Sequence, residues 1–164
     1  MLGDFKVTYD GMPITIECST STNATKLLQY LLYHYGQYIP RDKLIEILYS
    51  KSNISHPQNN LKVNIFRLRK ILQAFHLPEG EYIKYRSGMY SWDSDLEVEI
   101  DAFTFRQTAE EAADFRKSTE ERCSLMIKAI DMYRGEFLPM AATEPWVAFE
   151  SVKYRDIYLS CVRE

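Results

Sequence analysis

At 164 residues, with 46% hydrophobic and 26% charged, the chain can bury a core of its own and has the balance of a folded globular protein rather than a disordered one. No apolar run approaches the ~20 residues that span a bilayer, and "MLGDFKVTYDG" has no basic segment leading into an apolar one, so the chain reads as cytoplasmic with no membrane partner. The formal charge of −3 is polarised: residues 59–90 carry six cations against two acids, and residues 93–121 ten acids against three cations, which suits one end to a polyanion.

In chain order, "DFKVTYDGMPITIEC" alternates on either side of Asp10-Gly11, predicting a hairpin with Phe5 and Val7 on one strand and Ile14 and Ile16 on the other. A helix follows from about Ala24, capped by Thr22 or Asn23, with Leu27, Leu28, Leu31, Leu32 and Tyr35 inward and a stop at Gly36. Pro40 opens a second helix, "PRDKLIEILYS", facing Leu44, Ile47 and Leu48 inward, and "KSNISHPQ" is a polar loop. In "NNLKVNIFRLRKIL", Leu61, Ile65, Leu68 and Leu72 recur at i, i+4, i+7 and i+11, one face of a helix over residues 59–74. The other face brings up Asn60, Val63, Asn64 and Arg67, flanked by Phe66 and Lys70, with Lys62 nearby: a surface suited to reading rather than mere solvation. "EYIKYRSGMYSW" closes this part as a hairpin over residues 82–92 with Ser87-Gly88 in its tip.

Beyond it, "DSDLEVEID" alternates Asp93, Asp95, Glu97, Glu99 and Asp101 with Leu96, Val98 and Ile100, predicting an extended linker packed on one side. Three helices follow: Asp101 to about Lys117, a Ser118/Glu121 capping box leading to Gly135, and Thr143 with Pro145 into a helix reaching the end. Cys123, Ile127, Ile130 and Tyr133 are the expected core face of the middle helix, and Trp146, Phe149 and Val152 begin one for the last. No helix stop precedes Glu164, as expected of a fragment of a larger protein.

Catalysis has nothing to rest on. There is no Gly-rich phosphate loop, no Gly-x-Ser-x-Gly and no carboxylate pair with a partnering histidine, while His34, His56 and His76 fall at a helix end, in a loop and after a helix. Cys18, Cys123 and Cys161 are odd in number and widely spaced, so they read as reduced thiols rather than disulfides or metal ligands. No cofactor, metal or enzymatic activity is expected.

Sheet, three helices and terminal hairpin in that order predict an α+β winged helix, whose third helix enters the major groove while the wing reaches the backbone or minor groove. An all-α segment follows it. "VNIFRLRKIL" resembles the recognition helix of OmpR-type winged-helix domains and "YRSGMYSW" their wing, with Ser87 and Met89 where that family usually has glycines. Together with "LGDFKVTYDGMPI", "IPRDKLIEILY", the acidic linker into "IDAFTF", "YRGEFLP" and "EPW", the chain resembles the SARP-type bacterial regulators. That resemblance implies a winged helix over residues 1–93, a linker over 94–101, and the first tetratricopeptide-like helices of a bacterial transcriptional activator domain over 102–164. It further implies that Lys51, Ser52, Asn53 and His56, in the loop before the third helix, contact RNA polymerase, the alternative being a plain connector, and it is compatible with a homodimer on repeated half-sites.

The expected role is sequence-specific binding of double-stranded DNA in activating transcription, the alternative being a protein-interaction adaptor that keeps the scaffold without DNA specificity. Arg67 offers a bidentate fork to guanine or phosphate, or is a helix arginine paired with a glutamate. Asn60 and Asn64 pair with adenine or simply cap and solvate. Phe66 touches a thymine methyl or a protein. Arg69 lies nearer the apolar side, as for a structural ion pair or a phosphate contact. Arg86, beside Ser87 at the wing, fits a phosphate or minor-groove contact, or guards a strand edge.

Overall fold

Two hairpins frame three helices in the first of two units into which the chain divides, Val7–Val98; the second unites Met1–Lys6 with Glu99–Glu164. The structure is a computed structural model and describes residues 1–14, 23–75, 77–78, 80–93 and 96–163. The expectations for Ile16, Cys18, Thr22, His76 and Asp95 lie outside the described residues.

In the first unit, β1 (Thr8–Tyr9) pairs antiparallel with β2 (Met12–Pro13). Asp10 and Gly11 turn between them at φ of 48° and 75°, the left-handed corners that an Asp-Gly pair tolerates. Ile14 continues the ladder through a 2.8 Å bond from its N–H to the Val7 carbonyl. Helices α1 (Asn23–Tyr33), α2 (Arg41–Tyr49) and α3 (Pro57–Ala74) pack on one another. Their shared core is Leu27, Leu28, Leu31, Leu44, Leu48, Leu61, Ile65, Leu68 and Leu72, each buried, as the helical spacing predicted. Two positions depart from that pattern: Ile47 is only half-buried, and Tyr35, beyond the end of α1, is exposed and donates its hydroxyl to the Leu96 carbonyl.

Strand β3 (Ile39–Pro40) pairs with β5 (Met89–Trp92), which pairs with β4 (Ile83–Arg86), all antiparallel. The β4–β5 hairpin is the wing. Its tip uses Ser87 and Gly88 at φ of 50° and 81°. At its base Lys84 meets Asp93 at 3.0 Å, and Tyr82 stacks on Trp92 with ring centroids 5.8 Å apart.

The second unit comprises α4 (Asp101–Ala112), α5 (Thr119–Met132), a 3-10 turn at Pro139–Ala141 and α6 (Pro145–Arg163). α4 ends before the expected Lys117 because residues 113–117 form a turn in which Asp114 holds Arg116 at 2.8 Å. The Ser118/Glu121 capping box forms as predicted. The core faces of α5 and α6 do not follow the expectation. Cys123 and Ile127 are exposed, Ile130 and Tyr133 half-buried, and the inward positions are Met126 and Ala129. On α6, Val147 and Tyr154 are buried, while Phe149 and Val152 face out. Small residues Ala102, Ala112 and Ala129 let the helices approach around Phe105, Phe137 and Tyr154, so volume complementarity outweighs side-chain size in choosing the faces.

Met1–Lys6, expected with the winged helix, instead pack within the helical unit. Leu2 bridges Phe137, Gly3 donates to the Glu136 carbonyl at 2.9 Å, and the Met1 carbonyl accepts from Leu138 at 2.9 Å. Asp101 accepts the Leu2 N–H at 3.0 Å while bonding the Met1 amine at 2.7 Å. In the linker, Glu97 and Glu99 are exposed, Leu96 and Val98 half-buried and Ile100 buried, the alternation that period two predicts. No helix among the described residues is long and apolar enough to cross a membrane.

Candidate nucleic-acid interface

Helix α3 begins with Pro57 in its first turn, where the missing N–H costs nothing, and contains no acidic residue. Leu61, Ile65, Leu68 and Leu72 fasten one face to the core, which turns Lys62, Val63, Phe66, Arg67 and Lys70 to the outside. Lys62 and Arg67 have no ion pair or hydrogen bond among the described residues. Lys70 holds its ammonium over the Phe66 ring, 5.7 Å from the centroid. Asn60 is half-buried.

Two residues of the expected surface are engaged within the fold. Asn64 is only 9% exposed and donates its amide to the Tyr49 hydroxyl at 2.7 Å, because its position in the helical turn falls between Leu61 and Ile65 and Leu68 rather than opposite them. Burial pushes the Tyr49 hydroxyl above the usual tyrosine range, against the opposing bond from Asn64. The Arg69 guanidinium pairs with Glu81 at 2.7 Å and donates to the Ile83 carbonyl, tying α3 to the start of the wing.

On the wing, Arg86 and Ser87 are exposed, and Arg86 has no ion pair or hydrogen bond among the described residues. Tyr85 is exposed and lies opposite Tyr90, with ring centroids 4.7 Å apart. Burial raises the Tyr90 hydroxyl, with Tyr85 adding to the rise and Arg69 and Arg41 opposing it. Arg41 was missed in the sequence. Its N–H bonds the Gly88 carbonyl at 3.0 Å, joining the start of α2 to the wing tip. That contact joins residues 47 apart in the chain, and no local pattern marks it. The loop residues Lys51, Ser52, Asn53 and His56 are all exposed, with His56 at the N-cap position of α3. Among the described residues no group of His, Cys, Asp or Glu is placed to hold a metal ion.

An exposed acid-free helix face beside a cationic hairpin tip is the outline of a DNA-reading surface, and the sequence carries the matching signature. Residues 16–89 match the family described as "Transcriptional regulatory protein, C terminal". The matched stretch takes in α1, α2, α3 and β4, and makes that part of the chain similar to this family. The fold is similar to that of Mycobacterium tuberculosis EmbR, solved in complex with a low-affinity phosphopeptide, at a TM-score of 0.74 and 18% identity. The likeness covers 98% of this chain and 42% of that one, so the chain spans less than half of EmbR's length. The likeness is one of fold, a winged helix followed by a helical segment. No curated protein matches the sequence.

Proposed function

We propose that the protein is a SARP-type transcription regulator with an OmpR-type DNA-binding domain, that it binds a specific duplex with α3 in the major groove and the wing on the backbone or minor groove, and that it activates transcription in the cytoplasm. The observation that carries this is Arg67, exposed at the centre of an acid-free helix face with no partner among the described residues. A planar guanidinium left free in that position matches the bidentate edge of guanine. Lys62 and Lys70 supply phosphate attraction, Val63 and Phe66 apolar contacts, and Asn60 a polar contact at the start of the helix. Arg86 and Ser87 hold the backbone.

In this reading Val7–Val98 is the DNA-binding module, and the helices after it begin an activator domain. Lys51, Ser52, Asn53 and His56 form a separate surface for RNA polymerase, consistent with their exposure next to α3. Two copies sit on repeated half-sites.

The rival, an adaptor that uses Phe66 on a protein partner, draws support from that ring's exposure. Titration of a random duplex library over a range of salt separates the two. A DNA reader enriches a defined sequence, and its affinity falls with the logarithm of salt by about 0.9 per phosphate neutralised. An adaptor enriches none and responds weakly to salt.

A further inference from the structure

Val63 and Phe66 are 38% and 61% exposed, the two large apolar side chains on the outward face of a helix whose other projections there are cationic or amide. At i and i+3 their Cβ atoms lie roughly 5–6 Å apart, so they form one patch. A ring this exposed adds little to the core. Lys70 holds its ammonium over the ring, and Arg67 is next to it in the chain. The cations make a polyanion the occupant that this surface attracts. Within a major groove the apolar feature displayed to a helix is the C5-methyl of thymine, or the same methyl on 5-methylcytosine.

We propose that Val63 and Phe66 form a methyl-sensing pair that makes this regulator select sites by a pyrimidine C5-methyl at the base pairs they cover. The proposal rests on the reading of α3 as a major-groove element and adds to it a specific chemical preference. Arg67 supplies hydrogen bonding to the neighbouring bases, and the pair supplies discrimination that no hydrogen bond carries, since uracil and thymine differ in the groove by the methyl alone.

The experiment replaces thymine by deoxyuridine, one position at a time, in the duplex that the protein enriches from a random library. The unmodified protein should lose about fourfold in affinity at one or two positions, the factor that corresponds to ~0.8 kcal/mol per methyl group buried. Phe66→Ala and Val63→Ala, both at exposed positions and checked for native folding by circular dichroism, should bind the parent site more weakly. Each should be indifferent to deoxyuridine at the position that its side chain covers. Parallel selections from unmodified and enzymatically methylated libraries identify the source of the methyl. A site rich in thymine from the unmodified library assigns it to thymine, and a site recovered from the methylated library alone assigns it to 5-methylcytosine. In the latter case removal of the methyl is made by cytosine in place of 5-methylcytosine. Specific binding that is insensitive to every methyl removal, or sensitivity that persists unchanged in both variants, overturns the methyl-sensing pair while leaving DNA reading intact. Failure to enrich any sequence overturns both.

Discussion

Asn64 donates its side-chain amide to the Tyr49 hydroxyl at 2.7 Å, a bond between α3 and α2 formed by two buried side chains. It holds the third helix at a set rotation on the second, and thereby sets which side chains α3 turns outward. Asn64→Ala leaves the Tyr49 hydroxyl buried without this partner, a cost of about 1–3 kcal/mol. Urea denaturation should register that loss, while the folded variant keeps the base preference of the parent. Unchanged stability with an altered preference would place Asn64 on DNA instead.

Burial also raises the hydroxyl pKa of Tyr30, Tyr49, Tyr90 and Tyr133 above the ordinary value of 10.0. A raised folded value means that the folded state holds its proton more tightly than the unfolded chain. The corresponding stability is complete below the ordinary value and is lost as pH rises through the raised one. Denaturation midpoints should therefore be flat with respect to these groups at neutral pH and fall above pH of about 10. The alkaline decline should be shallower in Tyr49→Phe. A decline as steep as the parent's would mean that Tyr49 does not contribute to it.

The Ser118 hydroxyl accepts from the Glu121 N–H at 3.2 Å, and the Glu121 carboxylate accepts from the Ser118 N–H at 2.9 Å. These reciprocal bonds satisfy donors that an α-helix start otherwise leaves open. Ser118→Ala should cost about 0.5–2 kcal/mol. The backbone and side-chain bonds from Ser118 also lower the Glu121 pKa, so their contribution should fade as pH drops through that lowered value. Equal stability of Ser118→Ala and parent at neutral pH would mean that α5 is set by packing alone.

If the loop before α3 meets RNA polymerase, changing it should separate two quantities that a DNA contact would join. The double variant Lys51→Ala, His56→Ala should lower transcription in a reconstituted assay and leave duplex affinity within about twofold, the range of ordinary surface substitutions. A joint fall of both, or no change in either, removes the loop from activation.

The face of α3 was legible because Leu61, Ile65, Leu68 and Leu72 keep one period among residues of sharply different polarity. Both turns were legible for a similar local reason, since Asp10-Gly11 and Ser87-Gly88 are residues that accept positive φ. On α5, by contrast, Cys123, Leu125, Met126, Ile127, Ala129 and Ile130 leave apolar groups on most sides, and the period selects no single face. Ala129 wins because a neighbouring helix needs its small volume, which a hydrophobicity pattern does not register. The place of Met1–Lys6 was hidden for a different reason: the bridge from Leu2 to Phe137 joins residues 135 apart through backbone groups that every residue has. In the candidate interface the sequence located the cations, but which of them was occupied depended on Glu81, whose pairing with Arg69 exists only after the wing is in place.

The most direct test of the account compares Arg67→Ala with Arg86→Ala on the enriched duplex and on random DNA across a salt series. Loss of a base contact costs roughly 1–3 kcal/mol at one position, whereas loss of a phosphate contact weakens every sequence alike. Arg67→Ala should reduce binding to the enriched site far more than to random DNA. Arg86→Ala should weaken both and flatten the logarithmic salt slope by about one unit. Leu68→Ala is the control for indirect effects, expected to lose about 2–5 kcal/mol of stability through a core cavity. If a folded Arg67→Ala protein binds the enriched and random duplexes as the parent does, α3 does not read DNA and the account is contradicted.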